Sequence, residues 1–207
     1  RIEKTAGTRI NVDDISITPF SGTPEPNINI QGNGITVADG DATPSLADGT
    51  DFGAAIIAGT SIERTFTIQN TGSSALTLDD PAVVLLDGSK GFTVSVQPAI
   101  NPMNGFASQT FKINFGSAVP GTYTETVMIG SNDPDTPVYS FDMKATVAAP
   151  VVSANPTSLS GMSYAFGQGP MSPLQNFVVN GSNLAGDITE NASGNWEIST
   201  NLTYNGA

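Results

Sequence analysis

The chain contains neither cysteine nor histidine, and this double absence excludes most metal and nucleophile chemistry. Without thiolates there can be no disulfide framework and no cysteine-bound zinc. Without imidazole, serine and cysteine nucleophiles lack their usual base, and histidine-bound zinc, copper and iron are excluded as well. Carboxylate pairs and serine–lysine arrangements are the common catalytic options that remain.

Basic residues are scarce, and long apolar runs are missing. The chain has 7 lysines and arginines against 19 acidic residues, a net charge of −12, and no basic residue follows Lys144. An acidic surface repels phosphate backbones and anionic membranes, so we expect no nucleic-acid partner. No apolar run approaches the roughly 20 residues that span a bilayer, so we expect no membrane insertion. Such a charge suits a protein that stays soluble outside the cell or one that collects divalent cations.

Short alternating segments dominate what is present. In the stretch from Ser61 to Gly72, Arg64, Phe66 and Ile68 alternate with polar residues, which is the period of a half-buried strand. Asn70-Thr71-Gly72 then ends the strand in a turn. About seven such segments follow one another between turns, which predicts an all-β, immunoglobulin-like β-sandwich. The expected core consists of Phe66, Ile68, Phe111, Ile113, Phe115, Val127, Ile129, Phe141 and Met143.

A series of short motifs makes this prediction more specific. The motifs are Asp51-Phe52-Gly53, Gly59, Phe66-Thr67-Ile68, Asn70-Thr71-Gly72, Gly91-Phe92, Phe111-x-Ile113-x-Phe115, Gly121-x-Tyr123 and Ser131-Asn132-Asp133. Over residues 27–148 this order resembles the immunoglobulin-like repeat of choice-of-anchor D proteins of bacterial surfaces and ASPM–SPD-2–Hydin-like domains. The family usually has proline soon after the Phe115-type residue, whereas here proline waits until position 120. The family is non-catalytic, so the resemblance implies no active site.

Composition and motifs divide the chain into three predicted parts. Residues 1–24 hold one strand and a linker, and resemble the last strand of a bacterial jelly-roll module, so we expect the end of an upstream β domain. Residues 25–148 form the immunoglobulin-like sandwich. Residues 149–207 begin a second module after a linker predicted over 148–156, whose two prolines make it stiff.

The second module carries motifs of its own. These are Ser160-Gly161-Met162-Ser163-Tyr164, Gly167-x-Gly169-Pro170, Phe177-x-Val179, Gly181-Ser182-Asn183-Leu184 and Trp196-Glu197-Ile198-Ser199. They resemble a β-sandwich repeat of secreted Bacteroidetes proteins, which accompanies enzymes or gliding and adhesion proteins exported by the type IX route. The part present is about half of a sandwich of typical size, so we expect a tandem of modules whose second member is truncated.

An acidic stretch is the best candidate for a bound ligand. Asp39, Asp41, Asp48 and Asp51 lie within thirteen residues and alternate with glycines. Ca²⁺ takes six to eight hard oxygen ligands, which such a loop can wrap around the ion. The pattern is not that of an EF-hand. The four aspartates therefore predict either a Ca²⁺ site or a solvated acidic loop with Asp-Gly turns.

Carboxylate catalysis finds little support in the sequence. Glycoside hydrolysis needs a pair of carboxyl groups in a cleft, one of them with a raised pKa. Glu63 and Glu125 lie on predicted strands and are expected to face outward, so they form no such pair. Glu197 follows Trp196, which could stack on a sugar but could equally fill a core. We therefore expect that the chain is not an enzyme.

These observations predict a structural, adhesion or spacer module of a secreted or cell-surface protein. A secreted β protein without disulfides fits a bacterial source, and the resemblance of the second module to Bacteroidetes repeats implies that this source is Gram-negative. The alternative is a carbohydrate-binding accessory region of a secreted hydrolase. The expected partners are other domains of the same longer chain, together with a surface polysaccharide or protein.

Overall fold

The computed structural model describes residues 23–54, 56–161, 164–165, 169–170 and 175–189. Throughout this part the chain consists of strands, turns and loops, with no helix. It accordingly offers no helix with the length and apolar character that crossing a membrane requires. The strand predicted over residues 10–17 lies outside the described residues.

Thirteen strands follow one another in the described residues. They are β1 Ile28–Gly32, β2 Ile35–Val37, β3 Ile56–Ile57, β4 Ser61–Asn70, β5 Leu78–Leu85, β6 Phe92–Val96, β7 Ser108–Gly116, β8 Gly121–Ser131, β9 Val138–Ala148, β10 Val151–Asn155, β11 Tyr164–Ala165, β12 Gly169–Pro170 and β13 Val178–Ser182.

The first nine strands form two sheets. One is five-stranded, in the order β2-β1-β4-β7-β6, and the other is four-stranded, in the order β3-β9-β8-β5. All neighbours are antiparallel except β3 and β9, which run parallel. Without β2 and β3, the orders β1-β4-β7-β6 and β9-β8-β5 are those of the ABED and GFC sheets of a constant-type immunoglobulin domain. The predicted all-β, immunoglobulin-like fold is confirmed.

The core lies between the two sheets and is rich in phenylalanine. Phe66 on β4 stacks on Phe111 of β7 with ring centroids 5.4 Å apart, and it reaches Phe141 of β9 in the other sheet at 5.5 Å. All nine predicted core residues are buried. Alternation along the sequence predicts these buried residues because successive side chains of a strand point to opposite faces of its sheet.

Two elements differ from the prediction. The sequence predicts one strand over 75–78, another over 83–86 and a turn at Asp79-Asp80-Pro81. The structure instead has one strand, β5, with a bulge between Leu78 and Val83 that takes up these extra residues. The predicted linker over 148–156 is also shorter, because β10 begins at Val151.

The second module is represented by two small sheets. β10 pairs with β13 in an antiparallel ribbon, and β11 pairs with β12. Within the described residues these pairs do not make a sandwich. That the module is truncated, and that the chain divides at residue 149, stay predictions.

Candidate functional site

The acidic segment, residues 38–57, crosses from one sheet to the other. It leaves the five-stranded sheet after β2 and then follows β9 along the edge of the four-stranded sheet. The backbone bonds to β9 are Gly40 N to Ser140 O (2.8 Å), Asp142 N to Asp41 O (2.8 Å), Lys144 N to Thr50 O (3.0 Å), Phe52 N to Lys144 O (2.6 Å) and Thr146 N to Gly53 O (2.9 Å). β3 ends the segment, parallel to the last residues of β9. The acidic segment is therefore an interrupted edge strand.

Two of the four candidate carboxylates bind β9 itself. Asp39 Oδ1 accepts a hydrogen bond from the backbone N–H of Ser140 at 2.8 Å. Asp51 Oδ2 makes an ion pair with Lys144 Nζ at 2.7 Å, and its Oδ1 accepts from the N–H of Gly53 at 2.9 Å. Asp39 thus binds a backbone donor of β9, whereas Asp51 binds the Lys144 side chain beside the backbone bridge between the same two residues.

The other two carboxylates organise turns within the acidic segment. Asp41 Oδ1 accepts hydrogen bonds from the N–H and the hydroxyl of Thr43, at 2.8 and 2.6 Å. Asp48 Oδ1 accepts the same pair from Thr50, at 2.9 and 2.6 Å. In each turn the aspartate binds the residue two positions on, as short acidic side chains do in loops. Asp48 is buried by this arrangement.

The calcium prediction is not supported by this placement. Nowhere in the described ranges do three or more acidic side chains come close enough together to hold a metal ion. The carboxylates of Asp39, Asp41, Asp48 and Asp51 instead serve separate local contacts. Calcium binding by these four residues stays a prediction from the sequence alone.

A chelation experiment tests the calcium prediction. An ion bound only by the folded protein raises the melting temperature by mass action, so EDTA would lower that temperature. Asp41→Asn would then remove the sensitivity to EDTA. A melting temperature that responds to neither EDTA nor added CaCl₂ would contradict the prediction.

The charge of Asp41 gives a pH-dependent contribution to stability. Hydrogen bonds from the Thr43 hydroxyl and then its N–H hold the pKa of Asp41 below its ordinary value. The carboxylate therefore stabilises the fold above the unfolded pKa of about 3.9, and the contribution is lost as pH falls through the folded pKa. We expect Asp41→Asn to unfold at lower urea than the parent at pH 6, with the difference shrinking below about pH 3. A difference that is constant with pH would contradict this.

The two glutamates do not form a catalytic pair. Glu63 is exposed on the outer face of β4, as predicted, and makes an ion pair with Lys112 at 2.7 Å. The prediction that Glu125 faces outward is wrong, because this residue points into the sandwich and is only 4% exposed. Its carboxylate accepts from the N–H of Asp87 at 2.9 Å and of Gly88 at 3.0 Å. Glu125 thus holds the turn after β5, and Glu197 lies outside the described residues.

We expect Glu125→Ala to destabilise the sandwich by about 2–3 kcal/mol, because it leaves two partly buried N–H groups without their charged acceptor. The measurement is equilibrium urea unfolding followed by far-UV circular dichroism. Glu63→Ala is the matched control and should cost clearly less, because its ion pair with Lys112 is exposed to solvent. Equal losses in the two variants would contradict the structural role of Glu125.

Comparison with known proteins gives similarity to solved structures only at low sequence identity. No protein-family model matches the chain, and no curated protein matches it. An ASH / PapD-like domain of human CEP192 shares 13% identity, with 68% of this chain and 98% of that one covered and a TM-score of 0.42. A protein of unknown function from Porphyromonas gingivalis shares 15%, covering 61% and 50%, with a TM-score of 0.43. The Vibrio cholerae protease VesB shares 11%, covering 46% and 29%, with a TM-score of 0.37.

These similarities are too low to assign the chain to a family. The assignment of an immunoglobulin-like fold rests on the strand order of the chain itself.

Proposed function

We propose that this chain is a non-catalytic spacer module of a secreted or surface-anchored bacterial protein. The observation that carries the proposal is that the chain enters and leaves the sandwich at opposite poles. At the start of β1, the N–H of Ile28 donates to Asp133 Oδ2 at 2.8 Å, and Asp133 lies in the turn that precedes β9. From that turn β9 runs the length of the sandwich to Ala148, where the chain leaves.

The sandwich therefore adds length between its neighbours. β9 has 11 residues, and at about 3.3 Å per residue it spans about 35 Å. A domain whose termini lie side by side would hold its neighbours close together, whereas termini at opposite poles separate them by this distance.

The segment that enters the sandwich and the segment that leaves it are both restrained. On the incoming side, Ser74 Oγ donates to Pro24 O at 2.8 Å, and the N–H of Thr71 donates to Asn27 O at 2.7 Å. On the outgoing side, only two residues separate β9 from β10. One of them is Pro150, whose ring restricts the backbone. These restraints favour a stiff connection over a flexible linker.

Distance measurements by pulsed EPR test the spacer proposal. Because the chain has no cysteine, Val119→Cys and Asn180→Cys give a uniquely placed pair of spin labels, one on each side of the β9–β10 connection. We expect a narrow distance distribution. The matched control inserts Gly-Ser-Gly-Ser between Ala149 and Pro150 and should broaden the distribution clearly. A parent distribution as broad as that of the insertion variant would overturn the proposal.

The alternative, a carbohydrate-binding accessory region, makes a different prediction. Sugar binding on a flat face would use several adjacent exposed aromatic rings. Among aromatic side chains whose burial the structure describes, Phe106 alone is exposed, at 78%. We expect no binding to a bacterial and plant glycan array. Binding that disappears in Phe106→Ala would favour the accessory role over the spacer.

A further inference from the structure

The segment Gln97–Met103, here called the edge cap, runs beside the outer edge of β5. β5 is the last strand of the four-stranded sheet, so an exposed edge is expected there. At one end of the edge cap, Met103 and Leu76 exchange both backbone hydrogen bonds at 2.8 Å. Beyond this bridge the edge cap contacts β5 through side chains in place of its backbone.

Two side-chain amides make these contacts. Asn101 Oδ1 accepts from the N–H of Leu78 at 2.9 Å, and its Nδ2 donates to Leu78 O at 2.8 Å. Gln97 repeats the arrangement on Val83, with distances of 2.9 and 2.7 Å. Each amide binds the donor and the acceptor of one residue, which is the pattern that a neighbouring strand would supply.

The residues that receive the amides are those that an added strand would use. The N–H of Leu86 donates to Thr126 O of β8 at 3.0 Å, so Leu86 and Val84 direct their peptide groups inward to the sheet. Val83 has the opposite orientation, and its N–H and C=O point outward, away from the sheet, to the amide of Gln97. Between the two amide sites lies the bulge with Pro81, which has no N–H to offer. A strand pairing with β5 would therefore have to displace both amides.

The edge cap does not create a new edge in place of the old one. Each amide-bearing residue is followed directly by a proline, Pro98 or Pro102, and proline lacks the N–H that a strand ladder needs. Between them, the N–H and C=O of Ile100 are both bound by the amide of Gln109, at 2.7 Å each. In the edge cap, positions 98 and 102 therefore have no N–H, and the N–H of Ile100 is already bound by Gln109.

We propose that the edge cap keeps this module monomeric by closing the β5 edge to the strands of a second copy of the chain. Open edges recruit strands from other chains, and like modules joined in one protein meet at high local concentration. The inference concerns assembly and goes beyond the spacer role, because a stiff module could still associate through an open edge.

The test removes the amides while keeping side-chain size, in the double variant Gln97→Leu/Asn101→Leu. We expect circular dichroism to show a folded sandwich and sedimentation to show association that the parent lacks. The matched control is Asn29→Leu/Gln69→Leu, since these two amides bind each other on the outer sheet face at 2.8 Å. A reporter cysteine at exposed Val84 locates the contact, and a bismaleimide should link two copies only in the Gln97→Leu/Asn101→Leu background.

A folded Gln97→Leu/Asn101→Leu variant that stays monomeric would overturn the proposal. Cross-linking of Val84→Cys in a chain that keeps both amides would overturn it as well. If the variant does not fold, hydrogen exchange on the parent decides. The edge cap predicts that the amides of Leu78 and Val83 exchange at least about tenfold more slowly than unprotected peptide groups, because each is hydrogen-bonded. Exchange at the unprotected rate would show that the edge is open.

Discussion

Replacement of Phe111 by alanine is expected to lower the free energy of unfolding of the sandwich by about 3–5 kcal/mol. Phe111 is fully buried on β7 and stacks on Phe66 at 5.4 Å. Phe66 in turn contacts Phe141 of the opposite sheet, so the lost ring leaves a cavity in the middle of the core. The cost combines the lost burial of the ring with the lost packing of the atoms around it.

Denaturant unfolding monitored by far-UV circular dichroism measures this loss. Residues 25–148, which include the sandwich, contain no tryptophan, so circular dichroism is used instead of tryptophan fluorescence. Phe106→Ala is the matched control, because it removes the same ring from an exposed position and should change stability by no more than about 0.5 kcal/mol. A loss below half the expected value for Phe111→Ala would reject the assignment of Phe111 to the centre of the core.

Asn70→Ala should lower the free energy of unfolding by about 3 kcal/mol, even though it removes a polar side chain. Asn70 is 1% exposed at the end of β4. The two hydrogens of its Nδ2 are shared among three carbonyl oxygens, those of Ser74 (2.6 Å), Met103 (3.3 Å) and Asn104 (3.1 Å). Its Oδ1 accepts from the N–H groups of Asn27 (3.2 Å) and Gly72 (3.1 Å). One side chain thus holds three chain segments together at the pole where the chain enters.

Two further variants test this reading of Asn70. Asn29→Ala removes a half-buried amide that makes one hydrogen bond on the outer sheet face, and it should cost only about 0.5–1.5 kcal/mol. Asn70→Asp keeps an acceptor but places a charge against three carbonyl oxygens, so its carboxyl should have a raised pKa. A raised folded-state pKa means that stability present at low pH is lost as pH rises through that pKa. We therefore expect Asn70→Asp to be more stable relative to the parent at pH 4 than at pH 7, and the reverse order would contradict the role of the amide donor.

Local pattern was enough to predict the class of fold and the centre of the core. Phe66, Ile68 and Phe111 are buried because alternation along a strand depends on the backbone alone, whatever the strand pairs with. The missing cysteine and histidine needed no structure to exclude thiolate and imidazole chemistry. The end of β4 at Asn70 was also readable, since Asn and Gly are unfavourable in strands and common in turns.

Contacts between distant residues decided the rest. Four aspartates that are close in sequence serve separate structural contacts, because their oxygens bind Ser140, Lys144 and nearby turn residues. Alternation along β8 places Glu125 on the same inward face as Val127 and Ile129, but only the folded chain brings two N–H groups of the turn after β5 to its carboxylate.

The amides of Gln97 and Asn101 bind residues 14 and 23 positions away in the sequence. The opposite placement of the two ends of the sandwich likewise depends on which pole receives Ile28 and which releases Ala148. Hydrogen bonds and ion pairs form between groups that the whole fold brings within about 3 Å, so only the tertiary structure could assign these polar side chains their partners.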